Sequence, residues 1–121
     1  MSWTYHQATG ELDHNGKKVA TGYAGKRPWQ NHPQFQSLPK KGPLPQGKYT
    51  IGPPFHDKHT GIYSLRLTPD MHNQMFGRSL FLIHGANSKH PDDSSDGCIV
   101  VAPWVRHAIV ASGDRVLEVV P

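Results

Sequence analysis

The amino-acid sequence predicts a small, mostly β domain with one short helix. Short runs rich in β-branched and aromatic residues recur along the chain, and 12 glycines and 11 prolines fall mainly between them. Only one stretch, near the carboxyl end, has the apolar spacing and boundary residues of a helix. With 121 residues, the chain fits one compact domain over residues 1–121 and is too short for two.

The amino-terminal part is predicted to form a β-meander. Its aromatic and polar side chains alternate, as they do in half-buried strands. Asn15-Gly16 is a strong signal for a two-residue type I′ turn, because both positions of that turn need positive φ. The three predicted strands cover residues 3–7, 11–14 and 17–23.

Residues 25–45 interrupt this pattern. The segment contains five prolines and few apolar residues, so it is predicted to be a long irregular loop. Loops of this length in a small domain usually have a function or are mobile.

The second half of the chain returns to short strands and contains the predicted helix. Pro103 suits the first position of a helix, and Ser112-Gly113 is a typical stop, so a helix is expected over residues 103–111. A polar loop is predicted over residues 86–96. The predicted strands cover residues 47–51, 62–68, 80–84, 98–101 and 115–120.

Charge and hydropathy limit the possible function classes. The net charge of +4 favours an anionic partner, but the basic residues are scattered and no nucleic-acid-binding motif occurs. The mean hydropathy is −0.59 and no apolar run is long enough to span a bilayer, so no membrane insertion is expected. The sequence begins without a Sec-type signal pattern, and any export is expected to use another route. A monomer is expected.

Cys98 is the single cysteine, and its surroundings suit a nucleophile. A lone cysteine excludes an internal disulfide framework and is most often a small buried apolar residue. Here, however, His84 ends one apolar strand and Cys98 begins another 14 residues later. Adjacent strands would bring the two side chains together at one rim of a sheet. The imidazole would then take the thiol proton and pass it to a leaving amine.

Gly97 precedes the predicted nucleophile and leaves space around it. Without a side chain at Gly97, its backbone N–H and that of Cys98 are able to approach a developing oxyanion. These groups together are the parts required for acyl transfer through a thioester.

The same residues resemble the L,D-transpeptidase (YkuD-like) family. Ile-His-Gly at residues 83–85 and Ser-Asp-Gly-Cys-Ile at residues 95–99 are similar to its His-Gly and Gly-Cys segments, and residues 42–51 resemble an upstream strand of the family. Further features make the chain most similar to type VI secretion effectors that attack peptidoglycan with such a domain. These features are Trp3-Thr4-Tyr5, Thr9-Gly10-Glu11-Leu12, Gly22-Tyr23-Ala24-Gly25 and Gly77-Arg78.

The resemblance implies a fold and a reaction. The fold would be a YkuD-like β-sandwich or barrel with one short helix after the catalytic cysteine. The substrate would be a peptidoglycan tetrapeptide stem, cut between meso-diaminopimelate and D-Ala by L,D-carboxypeptidase activity or by exchange with a D-amino acid. Asp96 replaces the family's second histidine, and Val100 replaces its usual Arg or Asn. These departures favour stem trimming and exchange over cross-linking.

The predicted site extends beyond Cys98, His84 and Gly97. Asp96 is a possible auxiliary to His84, or simply a turn residue. Arg78 is a candidate for binding a substrate carboxylate, although an exposed arginine beside a turn is commoner. The further predicted substrate-lining residues are Ser95, Tyr63 and Gly85, of which Ser95 also suits loop hydrogen bonding and Tyr63 the core.

Several alternatives remain open from the sequence. Histidines and acids in and beside the polar loop, such as His90 and Asp93, offer N and O ligands, but they lack the spacing of a zinc site, so no metal or cofactor is expected. The domain could instead be a housekeeping L,D-transpeptidase making 3–3 cross-links, or a catalytically inactive wall-binding module. As an effector, it would be made in the cytoplasm, secreted with a carrier, act in a target's periplasm and have an immunity protein.

Overall fold

The computed structural model describes residues 2–121, which form nine strands and one α-helix. A single 3₁₀ turn, Pro33–Phe35, interrupts the irregular segment before β5. The elements are β1 (Trp3–His6), β2 (Glu11–His14), β3 (Lys17–Thr21), β4 (Tyr23–Ala24), β5 (Gly47–Asp57), β6 (Gly61–Pro69), β7 (Leu82–His84), β8 (Ile99–Val100), α1 (Pro103–Ser112) and β9 (Val116–Val120).

The strands form one sheet that curls into a nearly closed barrel. Its order is β3-β2-β1-β9-β5-β6-β7-β8-β4. Strands β3 and β4 lie at opposite ends of this order, yet Gly22 alone connects them. The two ends of the sheet must therefore meet. At this meeting point, the Gly22 N–H donates to the Gly10 carbonyl at 2.8 Å. The mostly β fold with one short helix confirms the predicted fold class.

The helix α1 covers the sheet and contributes to its core. Val105 and Ile109 are buried in the same cluster as the inward side chains of the strands. Pro103 occupies the first turn, and Gly113 caps the helix in the left-handed region at φ +70°. The predicted helix is confirmed, with its end one residue later than expected.

Most predicted strands are present, and their differences have local causes. Asn15 and Gly16 both have positive φ, which confirms the type I′ turn. Strand β5 continues to Asp57, six residues past its predicted end, because the two prolines at 53–54 fall where its register with β6 shifts. Strand β7 begins only at Leu82, since Leu80 has φ +65°, outside the β region.

Residues 25–45 are irregular apart from the 3₁₀ turn, as predicted, and they are tied to the strands around Cys98. The Leu44 N–H donates to the Gly97 carbonyl at 3.0 Å, and the buried Gln7 amide donates to the Leu44 carbonyl at 2.8 Å. Leu44 itself is fully buried. The carboxyl end of this loop therefore packs directly against the turn that carries the cysteine.

Within residues 2–121, no helix has the length and apolar character needed to cross a membrane.

Candidate active site

His84 ends strand β7, and Cys98 directly precedes the neighbouring parallel strand β8, which begins at Ile99 and not, as predicted, at Cys98. Strand β7 pairs with β8 in the register Ile83 to Ile99 and His84 to Val100. One residue earlier in this register, Cys98 lies opposite Leu82. Cys98 and His84 therefore lie next to the same short stretch of parallel pairing, Cys98 at its start and His84 at its end. They are two residues apart along it, roughly 7 Å.

The thiol of Cys98 is held beside the backbone of residues 80–82. The Leu82 N–H donates to its Sγ at 3.3 Å. Burial raises the pKa of the Cys98 thiol to about 11; the Leu82 N–H and the nearby Arg78 charge lower it only in part. The side chain is half-buried and borders a cavity of about 250 Å³ lined by Lys40, Arg78 and Leu80, among others. The resting residue is therefore a thiol next to an open cavity.

His84 is 5% exposed and is held in one tautomer. Its Nδ1 lies 2.7 Å from the Gly85 carbonyl oxygen. Since a carbonyl only accepts, Nδ1 carries the proton and Nε2 has the free lone pair of the neutral ring. Burial lowers the pKa of His84, and the Arg106 charge lowers it further, against an opposing effect of the Gly85 hydrogen bond. The imidazole is thus neutral near pH 7 and suited to accept a proton.

The two side chains do not contact each other. The Cys98 Sγ hydrogen bonds lead to residues 80 and 82, and the His84 ring bonds to Gly85. His84 borders a second cavity of about 250 Å³, which also includes His59 and His90. The predicted pairing of adjacent strands is therefore present, whereas the predicted hydrogen-bond reach between thiol and imidazole is absent from this conformation.

Gly97 forms a turn that no other residue would fit. Its φ is +142°, and a Cβ would lie 2.5 Å from Nη2 of Arg78 and 2.8 Å from Cε1 of Phe81. Its N–H, however, donates to Ser95 Oγ at 3.0 Å. This differs from the expectation that Gly97 offers its N–H to an oxyanion, because that N–H already has a buried partner.

Ser95 is a structural junction and not part of the cavity surface. It is 1% exposed, and its hydroxyl accepts from the N–H groups of Gly25 and Gly97 at 2.9 and 3.0 Å while it donates to the Cys98 carbonyl. Of the two roles considered for Ser95, the structure shows the loop hydrogen bonding and not the substrate binding, because the side chain is enclosed by the backbone groups that it joins.

Arg78 lies beside Cys98 but is occupied by the backbone. Its Nη1 donates to the carbonyls of Gln36 and Pro43 at 2.6 and 2.8 Å, and its Nη2 donates to those of Gly42 and Asp96 at 3.0 and 3.1 Å. The guanidinium is also stacked over the Phe81 ring. Four hydrogen bonds to carbonyls make Arg78 a positioning residue that fastens residues 25–45 to the Cys98 turn; substrate binding by it stays a prediction.

The carboxylate of Asp96 pairs with a lysine and not with the imidazole. Its carboxylate forms an exposed ion pair with Lys26 at 3.1 Å. It borders the Cys98 cavity, and its negative charge raises the pKa values of both Cys98 and His84. The structure gives Asp96 no hydrogen bond to His84, so its auxiliary role stays a prediction.

Tyr63 and Gly85 line a separate cavity on the far side of His84. Tyr63 stacks on His107, with ring centroids 3.9 Å apart, and its backbone carbonyl accepts from Arg106. A Cβ on Gly85 would lie 2.6 Å from Nη2 of Arg106. Sequence reasoning missed Arg106, although one signal was present: it follows Val105 and lies three residues before Ile109, on the apolar side of the helix.

Within the described part of the chain, residues 2–121, no cluster of three or more His, Cys, Asp or Glu side chains has the arrangement of a metal site. Two acids of the polar loop interact with Arg27 instead: Asp92 pairs with its guanidinium, and Asp93 accepts from its backbone N–H.

The mostly β, nearly closed sheet with a single short helix resembles the L,D-transpeptidase fold. The sequence model of the Tlde1 domain matches residues 18–116. The chain belongs to the Tlde1 domain family, the L,D-transpeptidase-like effectors of type VI secretion.

Among solved structures, an L,D-transpeptidase from Mycobacterium smegmatis is similar to this chain, with a TM-score of 0.45 and 15% identity. The match covers 99% of this chain and 58% of the mycobacterial one, so the chain spans a little more than half of that protein's length. No curated protein sequence matches it significantly.

Proposed function

We propose that this domain is an antibacterial toxin that edits peptidoglycan tetrapeptide stems through a thioester on Cys98. Terminal D-Ala is removed in an L,D-carboxypeptidase reaction, exchanged for another D-amino acid, or both. The observation that carries the proposal is the parallel pairing of β7 with β8, since His84 ends β7 and Cys98 directly precedes β8.

In the first half-reaction, Cys98 Sγ attacks the carbonyl carbon between diaminopimelate and D-Ala. His84 Nε2 accepts the thiol proton and then donates it to the nitrogen of the departing D-Ala. The C–N bond breaks, a C–S bond forms, and the stem remains attached as a thioester. The neutral His84 and its fixed tautomer support this role.

In the second half-reaction, His84 removes a proton from water or from the amine of an incoming D-amino acid. The oxygen or nitrogen attacks the thioester, and the C–S bond breaks with return of the proton to sulfur. Water gives a shortened stem with a free carboxylate; an amine gives a new peptide bond. The two outcomes use the same residues and differ only in the acceptor.

Proton transfer needs the thiol and the imidazole to come closer than they are at rest. Rotation of the Cys98 side chain away from the Leu82 N–H, or one bridging water, closes the gap along the sheet. Resting structures of enzymes often have such loose contacts, which tighten in the substrate complex. The cavity beside Cys98 provides room for this movement.

As a toxin, the domain would remove the donor stems that cell-wall cross-linking requires. This role implies secretion into the periplasm of a target bacterium, a carrier in the secretion machine and an immunity protein in the producer. The net charge of +4 favours an acidic wall polymer.

The decisive experiment is incubation of the protein with purified tetrapeptide muropeptides, followed by mass spectrometry. We expect loss of one D-Ala, or replacement when a free D-amino acid is added, and no reaction with Cys98→Ala or His84→Ala. His72→Ala, at an exposed histidine, serves as the matched control. Unchanged muropeptides with the wild-type protein would overturn the substrate assignment. Full toxicity of Cys98→Ala in the periplasm would indicate a binding module instead.

A further inference from the structure

Arg106 on α1 is a buried cation without an acidic partner. The residue is 6% exposed, and its Nη1 donates to the carbonyls of Ile62 and Tyr63 at 3.1 and 3.2 Å. Its Nε is buried without a hydrogen-bond partner. Among residues 2–121, no carboxylate forms an ion pair with it, and no group accepts from its Nη2. Such a half-satisfied guanidinium is costly to bury and suits an anionic ligand.

The free end of Arg106 lies against the residue that follows His84. A Cβ on Gly85 would lie only 2.6 Å from Nη2, so this close approach depends on glycine at that position. Arg106 and Gly85 together border a cavity of about 230 Å³, whose walls also include Thr60, Tyr63 and His107.

This cavity adjoins the one that His84 borders. Both are bordered by Thr60, Gly85 and Ala86. A ligand that reaches the imidazole therefore has Arg106 as its neighbour on the side away from Cys98. Arg78, on the Cys98 side, has four of its N–H groups already donated to backbone carbonyls.

We propose that Arg106 binds the α-carboxylate of the terminal amino acid, the leaving D-Ala in trimming and the incoming D-amino acid in exchange. This inference rests on the proposed function. His84 passes its proton to the nitrogen of that amino acid, and the carboxylate carbon is two bonds from the nitrogen. The group that recognises the carboxylate must therefore lie beside His84 and not beside Cys98, which is where Arg106 lies.

The expected consequence is selectivity for a free carboxyl terminus. Hydrogen bonds from a guanidinium to a carboxylate are among the stronger ones in proteins. Replacing the terminal carboxylate with an amide should lower kcat/KM by roughly 10- to 100-fold, because one charge-assisted interaction is lost. The same preference should hold for D-alanine over D-alaninamide as the acceptor in exchange.

The test compares kcat/KM for a tetrapeptide stem and for its carboxyl-terminal amide, measured with the wild type, Arg106→Gln, Arg106→Lys and Arg66→Gln. Arg66 is exposed and lies over Phe55, so Arg66→Gln removes the same charge at an unrelated position. The ratio of the two kcat/KM values is independent of the fraction of active protein, which separates recognition from a structural effect.

We expect the wild type and Arg66→Gln to prefer the free carboxylate, and Arg106→Gln to have a ratio near one. If Arg106→Gln does not fold, Arg106→Lys takes its place, and its ratio should fall several-fold because an ammonium cannot reproduce the planar fork. Equal cleavage of both stems by the wild type would overturn the inference, as would an unchanged preference in a folded Arg106 variant. Cleavage of neither stem would refute the proposed function instead.

Discussion

The environment of Cys98 favours the neutral thiol over the thiolate. The sulfur is removed from water, and the Leu82 N–H and the Arg78 charge only partly offset that burial, so the pKa of Cys98 is raised to about 11. A nucleophile of this kind is unreactive until a base acts on it. The resting protein would thus avoid reactions of its thiol before it meets a substrate.

Alkylation of Cys98 tests this state directly. With a pKa near 11, the rate of reaction with iodoacetamide should rise about tenfold for each pH unit from 7 to 10, because the thiolate fraction rises in that proportion. The urea-unfolded protein is the control and should level off above about pH 8.5. A plateau near that pH in the folded protein would contradict the prediction.

We predict that protonation of His84 sets the lower pH limit of activity. Its pKa is lowered, chiefly by burial, so the neutral base persists at pH values below the ordinary range for histidine, about 6.5. As pH falls, kcat/KM should remain high past 6.5 and decline only as the imidazole protonates at its lowered pKa. A profile of kcat/KM from pH 4.5 to 8, with thermal unfolding recorded alongside, measures this. A midpoint at or above 6.5 in a folded protein would show that burial does not lower the pKa of His84.

At the residue scale, the sequence indicated the candidate chemical groups but not most of the contacts that hold them in place. Cys98 and His84 could be singled out as candidates because each adjoins a recognisable apolar run. Hydrogen bonding of Ser95 within its loop was one of the expected alternatives, whereas the bonds of Arg78 were not expected, since their acceptors are backbone carbonyls from residues distant in the chain. Only the folded chain brings those groups together.

The turn between the polar loop and β8 is the element on which the cysteine depends. Ser95 joins three backbone groups there: the N–H groups of Gly25 and Gly97 and the carbonyl of Cys98. One buried hydroxyl thus connects the start of the long loop, the glycine of the turn and the predicted nucleophile.

Ser95→Ala should therefore destabilise the fold and impair activity together. The change leaves buried backbone groups unpaired at about 1–3 kcal/mol each, so we expect the free energy of unfolding to fall by at least about 2 kcal/mol. Urea unfolding measures this, and stem cleavage measures the effect on the cysteine. Ser88→Ala, at an exposed serine of the same loop, should change stability by less than about 0.5 kcal/mol. Equal stability of the two variants would show that the hydrogen bonds of Ser95 do not stabilise the fold.

Elements with local signals were predicted well, and those shaped by tertiary contacts were not. The Asn15-Gly16 turn and helix α1 carry their own boundary residues, so both were found. Strand β5 runs through two prolines because its register with β6 shifts at that point. The sequence of β5 alone does not indicate this shift. Residues 25–45 were correctly predicted as irregular, but not their attachment to the Cys98 turn.

At the scale of the whole molecule, the main feature of the fold is the closure of its sheet into a barrel. Strands β3 and β4 follow each other in the chain but lie at opposite ends of the strand order. The chain crosses from one end to the other at Gly22, against the carbonyl of Val100 in β8. Sequence patterns predict strands and not their order, so the barrel could be expected only from the family resemblance.

Closure at Gly22 also connects global stability with the site. A Cβ there would lie 2.3 Å from the Val100 carbonyl oxygen and 2.6 Å from Cγ1 of Val101, and Val100 is the strand partner of His84. Gly22→Ala should therefore push β8 away from its position, lower the free energy of unfolding by about 1–3 kcal/mol and reduce stem cleavage. Gly52→Ala is the matched control, since its Cβ would meet nothing nearer than 3.5 Å. If urea unfolding and cleavage are the same for both variants, the close approach at Gly22 does not control the position of β8.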